Sequence, residues 1–403
     1  TKTISDEGKE SKHLDRHKYT FDTANNQWGE AMMDIGAWKN HESSANLERM
    51  EAKVRGADLR KRKLWLTALL LLLIPLLFFL PMVSFAATNV SGNITTDTTW
   101  TLAGSPYIVT GSVSVYNPTS GSTTPVTLTI EAGVEVWFAS SSWLYIGNSS
   151  VYTGALVARG TAEQPIKFTS NAATPAPGDW RGIYFYDGTH DATTVLEHCI
   201  VEYGGSYPTA SQKANLYLDS ASPTIRNCTI RHGGGYGIRM EGNSSPTIGG
   251  DEGQGNTITG NAFSGISVSS SSSQPVITHN NISSNGGYAI KAYANIRNIH
   301  GNTLTGNGIQ AIELSSASIH QDTIWRNEGV PYIITDSNIY VYNSTTWSTT
   351  PVTLTIEAGV EIRFDPTTWL YIGNSSVYTG ALVAHGTAEQ PIKFTSNAAT
   401  PAP

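Results

Sequence analysis

The chain has 403 residues, a formal net charge of -7 and only 14% charged residues. A single core rarely grows beyond about 250–300 residues, so several domains or an elongated repeat architecture are expected. No basic face stands out, which argues against a nucleic-acid partner. Two cysteines are too few for a disulfide framework in so long a chain.

The N-terminal part contains one apolar segment. Residues 1–63 are polar, and we interpret them as a cytoplasmic tail or as translated upstream sequence. They end in a basic run that precedes the apolar segment 64–86, which closes with small residues around Ala86. This order predicts a cleaved secretory signal, and an uncleaved membrane anchor is the alternative. Under either interpretation the positive charge keeps the N-terminus inside, so everything after Ala87 lies outside the cytoplasm.

A long repeat follows in the exported part. The segment 124–177 recurs almost verbatim as 350–403, a step of 226 residues. This step predicts one module over residues 88–320 and the start of a second module over residues 321–403. Because the sequence breaks off inside the second copy, we expect it to be part of a longer chain.

A shorter repeat runs inside the first module. Its motif places an apolar residue two positions after a Cys or Asn, and successive motifs are 29, 28, 24 and 22 residues apart. Apolar residues in register on successive strands predict columns inside a solenoid, and stacked amides predict a ladder whose members satisfy one another. The apolar column comprises Val201, Ile230, Ile258, Ile282 and Leu304, and the amide ladder comprises Asn256, Asn280 and Asn302.

The Asn-Thr-Ile motif at 256–258 and the opening run with Gly-Asp-Trp-Arg-Gly-Ile at 178–183 resemble right-handed parallel β-helix repeat proteins of prokaryotic cell surfaces. The resemblance covers roughly residues 93–403. It implies an all-β, right-handed parallel β-helix, here preceded by the leader segment. It implies no single activity, because this fold occurs in polysaccharide lyases, hydrolases, epimerases and inert spacers.

Cys199 and Cys228 occupy the motif position that later coils give to Asn. On neighbouring coils the two would come within reach of a disulfide, which an exported setting permits. The alternative is a pair of buried free thiols that pack as small apolar residues. The sequence leaves both interpretations open.

Asp179, Asp187 and Asp191 cluster ahead of the regular coils and are candidate ligands for calcium. Their spacing matches no known calcium loop, so we predict no cofactor beyond this candidate ion. The histidines are scattered and do not converge as metal ligands should.

Two charged residues and several indoles bear on binding. Glu202 and Arg231 align on neighbouring strands, and we interpret them as a surface ion pair rather than as a substrate contact. The outward residues beside the repeated motif are neutral, which argues against a polysaccharide-cleaving site. The indoles of the opening run and its copy either cap the solenoid or stack on sugars; they are Trp137, Trp143, Trp180 and Trp369.

We therefore predict an exported cell-surface protein that serves as a structural spacer, an adhesin or a carbohydrate-binding surface. Its expected partners are polysaccharides or other cell-surface components, with membrane contact only through the leader. The alternative is a lyase or glycoside hydrolase on the same scaffold, for which we assign no catalytic residues. Candidate glycan acceptors are Asn89, Asn93, Asn148, Asn227, Asn243, Asn281, Asn343 and Asn374.

Overall fold

The structure is a computed structural model. It describes residues 86–398 without 208, 210 and 211, together with Arg49, Lys53, Arg55 and Lys63. The predicted polar segment 1–63 and leader 64–86 therefore lie outside the described residues, except for those four and Ala86. The chain divides into Thr1–Val83 and Ser84–Pro403, and all strands below belong to the second unit. Among the described residues, no helix is long and apolar enough to span a bilayer.

Short strands follow one another along the whole second unit. The opening strands are β1 (Thr88–Ile94), β2 (Thr98–Trp100), β3 (Tyr107–Val115), β4 (Val126–Ile130), β5 (Glu135–Phe138), β6 (Trp143–Ile146), β7 (Gly154–Arg159), β8 (Ile166–Ser170) and β9 (Gly182–Phe185). The regular coils contain β10 (Val195–Glu197), β11 (Cys199–Glu202), β12 (Ala214–Asp219), β13 (Thr224–Arg226), β14 (Thr229–Arg231), β15 (Tyr236–Glu241), β16 (Thr247–Gly249), β17 (Thr257–Thr259), β18 (Ile266–Val268), β19 (Val276–Thr278), β20 (Asn281–Ser283), β21 (Tyr288–Tyr293), β22 (Asn298–His300), β23 (Thr303–Thr305) and β24 (Ile309–Ser315). The last strands are β25 (Ser318–Ile319), β26 (Thr323–Trp325), β27 (Tyr332–Ile334), β28 (Ile339–Val341), β29 (Val352–Ile356), β30 (Glu361–Phe364), β31 (Leu370–Ile372), β32 (Gly380–Ala384) and β33 (Lys393–Ser396).

These strands pair in parallel, and each regular coil contributes one strand to each of three stacks, called here sheets I, II and III. Sheet I is β2-β4-β7-β10-β13-β16-β19-β22. Sheet II is β5-β8-β11-β14-β17-β20-β23, and sheet III begins β6-β9-β12-β15-β18-β21-β24. Sheets II and III are joined through β3, whose first half pairs with β5 and whose second half pairs with β6.

The interior is a stack of apolar columns. In sheet II, Val201, Ile230, Ile258, Ile282 and Leu304 lie directly above one another. Each is at most 5% exposed. One coil leaves its inner face and its backbone groups uncovered, and the next coil, about 4.8 Å away, satisfies both. The predicted all-β parallel solenoid is confirmed.

Asparagine ladders fix the turns between sheets. Asn256 Nδ2 donates to Asn280 Oδ1 at 2.9 Å, and Asn280 Nδ2 donates to Asn302 Oδ1 at 3.0 Å. The ladder ends on the buried Glu328 carboxylate, which accepts from the backbone N–H of Asn302 at 2.9 Å and from its Nδ2 at 3.1 Å. A second ladder, which we did not predict, comprises Asn215, Asn261, Asn285 and Asn307.

The second copy of the long repeat does not continue the same sheets. Strand β5 of the first copy lies in sheet II, but its counterpart β30 follows β27 and β24 in sheet III. Strands β26-β29-β32 and β25-β28-β31 form two separate three-stranded sheets. The junction between the copies therefore shifts the repeated sequence by one sheet relative to the coils before it.

Candidate functional site: a charged and aromatic groove on sheet II

A groove of about 480 Å³ lies on the outward face of sheet II in its first coils. The strand register pairs Trp137 with Thr169 and Glu202 with Arg231, and Thr169 hydrogen-bonds to Glu202, so these four residues form one outward column. Strand alternation directs these side chains outward, because their neighbours Val136, Phe168, Val201 and Ile230 fill the interior. The segment 171–175 that follows β8 adds a wall to the groove.

Glu202 forms the charged floor of the groove and is only 2% exposed. Arg231 Nη2 lies 2.7 Å from Oε2, Lys167 Nζ lies 3.2 Å from Oε1, and Thr169 Oγ1 donates to Oε1 at 2.9 Å. Burial by itself would raise the pKa of Glu202. The hydrogen bonds from Arg231 and Thr169 and the positive charges of both cations outweigh burial, so this pKa lies below its ordinary value.

The predicted ion pair between Glu202 and Arg231 is present, but its carboxylate does not lie on the surface as predicted. The carboxylate is buried and shared between two cations, each of which is about one third exposed. Such a network holds the floor of the groove in one geometry, because removing one member leaves the others desolvated without a partner.

Trp137 forms the aromatic wall. Its indole Nε1 donates to Glu135 Oε2 at 2.7 Å, which fixes the edge of the ring. The ring is half-buried and lines the groove. An indole held in this way offers a rigid apolar surface at low entropic cost, and that is the usual means of binding the apolar face of a ligand ring.

Replacing Glu202 by Gln is expected to lower stability by about 1.5–3 kcal/mol at neutral pH, the range for a lost hydrogen bond to a charged group. The folded-state pKa of Glu202 is lowered, so its contribution is complete above the unfolded carboxyl pKa of about 4.3 and is lost as pH falls through the folded value. Denaturation midpoints of wild type and Glu202→Gln should therefore differ above about pH 5 and converge in stronger acid. A difference that persists unchanged in acid would contradict this assignment.

The outward face of sheet III contains a second aromatic cluster. Tyr145, Tyr184 and Tyr217 lie in one column, with ring centroids 5.4 Å and 4.8 Å apart. The Arg181 guanidinium lies 4.0 Å from the centroid of the neighbouring Trp143 ring. Tyr184 and Tyr217 are only 1% exposed, so the cluster mostly buries its own rings and forms a small core outside the solenoid interior.

Charged residues continue this column along sheet III. Arg239 is the register partner of Tyr217 on the next coil, and further along the stack Glu313 is the register partner of Lys291. Arg239 Nη2 lies 2.6 Å from Glu241 Oε1, and Lys291 Nζ lies 2.7 Å from Glu313 Oε2. The outward face that the sequence predicted to be neutral is therefore the part of sheet II beyond the groove. Sheet III carries charged outward residues, so the absence of charge cannot be used as an argument against catalysis there.

The four indoles have different environments. Trp180 is fully buried in the interior, where it stacks on Phe138 with centroids 3.9 Å apart and donates to the Glu202 backbone oxygen at 2.8 Å. Trp143 packs in the sheet III cluster, and Trp369 is 53% exposed. Packing therefore accounts for Trp180 and Trp143, and Trp137 is the indole that lines the groove.

Cys199 and Cys228 lie on neighbouring coils and are buried free thiols in the structure. The Cys199 backbone N–H donates to Cys228 Sγ at 3.4 Å. Burial raises the pKa of the Cys199 thiol well above its ordinary value, and the hydrogen bond with Cys228 adds to this effect. The structure therefore describes two thiols that pack among apolar residues, and the disulfide between them stays a prediction.

The structure does not bring the candidate calcium ligands together. Asp179 accepts from Ser170 Oγ at 2.7 Å, Asp191 accepts from the Ser222 N–H at 2.6 Å, and Asp187 is exposed. In the part of the chain that the structure describes, no three His, Cys, Asp or Glu side chains are grouped so that they could hold a metal ion. The geometry gives calcium binding at these residues no support.

Sequence reasoning missed Glu135, Lys167 and Thr169 as groove residues. They precede the regular repeat, where the coils are about 32 residues long and the turn motif is missing. Aligning Val136, Phe168 and Val201 as one inward column would have revealed them, because their outward neighbours are these groove residues.

Comparison with protein families agrees with this architecture. The family model described as right handed beta helix region matches residues 166–346 and 216–386, which together exceed half of the chain. The model described as pectate-lyase like beta helix domain matches residues 92–215, which include most of the groove. No curated protein and no solved structure matches the chain significantly. The chain belongs to the right-handed β-helix family.

Proposed function

We propose that this protein is an exported surface protein whose β-helix binds carbohydrate in the groove of sheet II. The observation that supports the proposal is the groove itself, in which a fixed indole faces hydrogen-bonding side chains. A sugar ring presents an apolar face and a polar rim, and Trp137 can stack on the first while Thr169 and Asn171 hydrogen-bond to the second. The basic and then apolar leader supports export.

Binding fits this groove better than cleavage. A general acid needs a pKa near the working pH, whereas the pKa of Glu202 is lowered and its carboxylate is held by two cations. The second candidate is still a polysaccharide-cleaving enzyme, because the pectate-lyase-like match includes the strands that carry Trp137 and Thr169. The two functions differ in whether the bound glycan is released intact.

Trp137→Ala should weaken glycan binding by about 30-fold, the usual effect of removing a central aromatic contact. Isothermal titration calorimetry against oligosaccharides that bind the wild-type chain measures this change. Trp369→Ala is the matched control, because it removes a more exposed indole outside the groove and should leave affinity unchanged.

Each sample is also assayed for new reducing ends and for unsaturated sugars. Intact glycan after prolonged incubation supports a binding protein, and release of fragments by the wild-type chain would establish the enzyme instead. Equal affinity of wild type and Trp137→Ala would contradict the assignment of the groove.

A further inference from the structure

The charges around the groove balance one another. Lys167 and Arg231 both contact the Glu202 carboxylate, at 3.2 Å and 2.7 Å. Glu135 accepts the indole N–H of Trp137 and lies opposite Lys167 in the strand register. Two cations and two carboxylates leave no net charge, and both cations already have an anionic partner. A ligand carboxylate would meet two cations whose positive charge the buried Glu202 carboxylate already offsets, so its electrostatic gain would be small.

Uncharged groups complete the surface. The Asn171 side chain is exposed at the rim and makes no hydrogen bond to any described residue. With the indole face of Trp137 beside it, the groove offers apolar contact and neutral hydrogen bonds. These are the contacts that sugar hydroxyls and ring C–H groups require.

The second copy of the long repeat provides a natural comparison for Trp137. Segments 124–177 and 350–403 differ at only seven positions, and six of them lie in the stretch 136–142 and its copy 362–368. In that copy Arg363 replaces Trp137 and donates to Glu361 at 2.7 Å. The strand neighbours are unchanged, since each residue lies between an Ile and a Thr of the adjacent strands. The same backbone setting therefore accepts either an indole or a guanidinium.

Building on the proposed function, we infer that the first-copy groove selects neutral glycans over uronate glycans and that Trp137 is the specificity-determining residue. Trp137→Arg installs the side chain of the second copy. This change removes the stacking surface and adds one positive charge to a balanced site. Its folding is supported by the second copy, in which Arg363 pairs with the counterpart of Glu135.

The test is calorimetric titration of the full chain with six-unit oligomers of glucose, galactose and mannose and with the corresponding uronates. The wild type should bind at least one neutral oligomer about tenfold or more tightly than its uronate, with little dependence on salt. Trp137→Arg should lose about tenfold or more of that affinity and gain salt-sensitive binding of uronates. Thermal midpoints of both proteins verify that the variant is folded.

The outcomes separate the two claims. Preferential, salt-sensitive binding of uronates by the wild type overturns the inference and leaves carbohydrate binding intact. An unchanged preference in folded Trp137→Arg overturns the role of Trp137. Failure of the wild type to bind any oligomer of either series overturns the proposed function itself.

Discussion

Deleting residues 257–280 is expected to leave a folded solenoid that is shorter by one coil, whereas deleting only residues 257–268 should abolish folding around the cut. The first deletion joins Asn256 to Asn281, and Asn281 is the register partner of Thr257. Strand β20 would then lie on β14, with Ile282 above Ile230 and every apolar column intact. A solenoid coil contacts only its neighbours, so removing a whole coil removes one interface and restores another.

The half-coil deletion removes β17 and β18 but keeps β19, so sheets II and III lose a strand while sheet I does not. The inner residues of the following coils would then face the wrong partners. Circular dichroism melts and limited proteolysis distinguish the two variants, and small-angle scattering should show that the whole-coil deletion shortens the β-helix by about 4.8 Å. Aggregation of the whole-coil variant together with cooperative melting of the half-coil variant would refute the stacking rule.

Asn280→Ala is expected to destabilise the central coils by about 3–6 kcal/mol, because each buried polar group left unpaired costs about 1–3 kcal/mol. The Asn280 side chain accepts from Asn256 N–H and Nδ2, both at 2.9 Å, and donates to the Ile248 and Thr278 carbonyls and to Asn302 Oδ1. The side chain is 1% exposed, so water cannot replace these partners.

Hydrogen exchange at β17, β20 and β23 measures this effect locally, and a denaturation midpoint measures it for the whole chain. Asn281→Ala is the matched control, because this neighbouring asparagine is exposed and should change stability by no more than about 0.5 kcal/mol. Equal protection in Asn280→Ala and Asn281→Ala would show that the ladder does not hold the coils together.

The fold could be predicted from the sequence because every coil must place an apolar residue at the same inward position. Ile230, Ile258, Ile282 and Leu304 recur at steps that match one coil, and all four are buried. The second ladder was harder to see. Asn215 lies near the start of strand β12, 46 residues before Asn261, and its sequence neighbours do not resemble those of the later members.

The groove was harder still, because it depends on register between long coils of unequal length and on the loop after β8. The charge of Glu202 and Arg231 was visible in the sequence. The burial of Glu202 was not, since it results from Lys167 and Thr169 on another coil and from a wall formed by residues 171–175. Outward residues are constrained by few neighbours, so their roles follow from three-dimensional proximity and not from periodicity.

The shift at the junction determines what tandem copies can reach. Trp137 looks out from sheet II, whereas its counterpart Arg363 lies in the sheet III stack above Ile333. A flat polymer surface that contacts one side of the β-helix could therefore meet only one of these two positions. Under the proposed carbohydrate binding, a ligand of Trp137 and a ligand of Arg363 would approach from different sides, so the two copies would join separate polymers and would not bind one polymer more tightly.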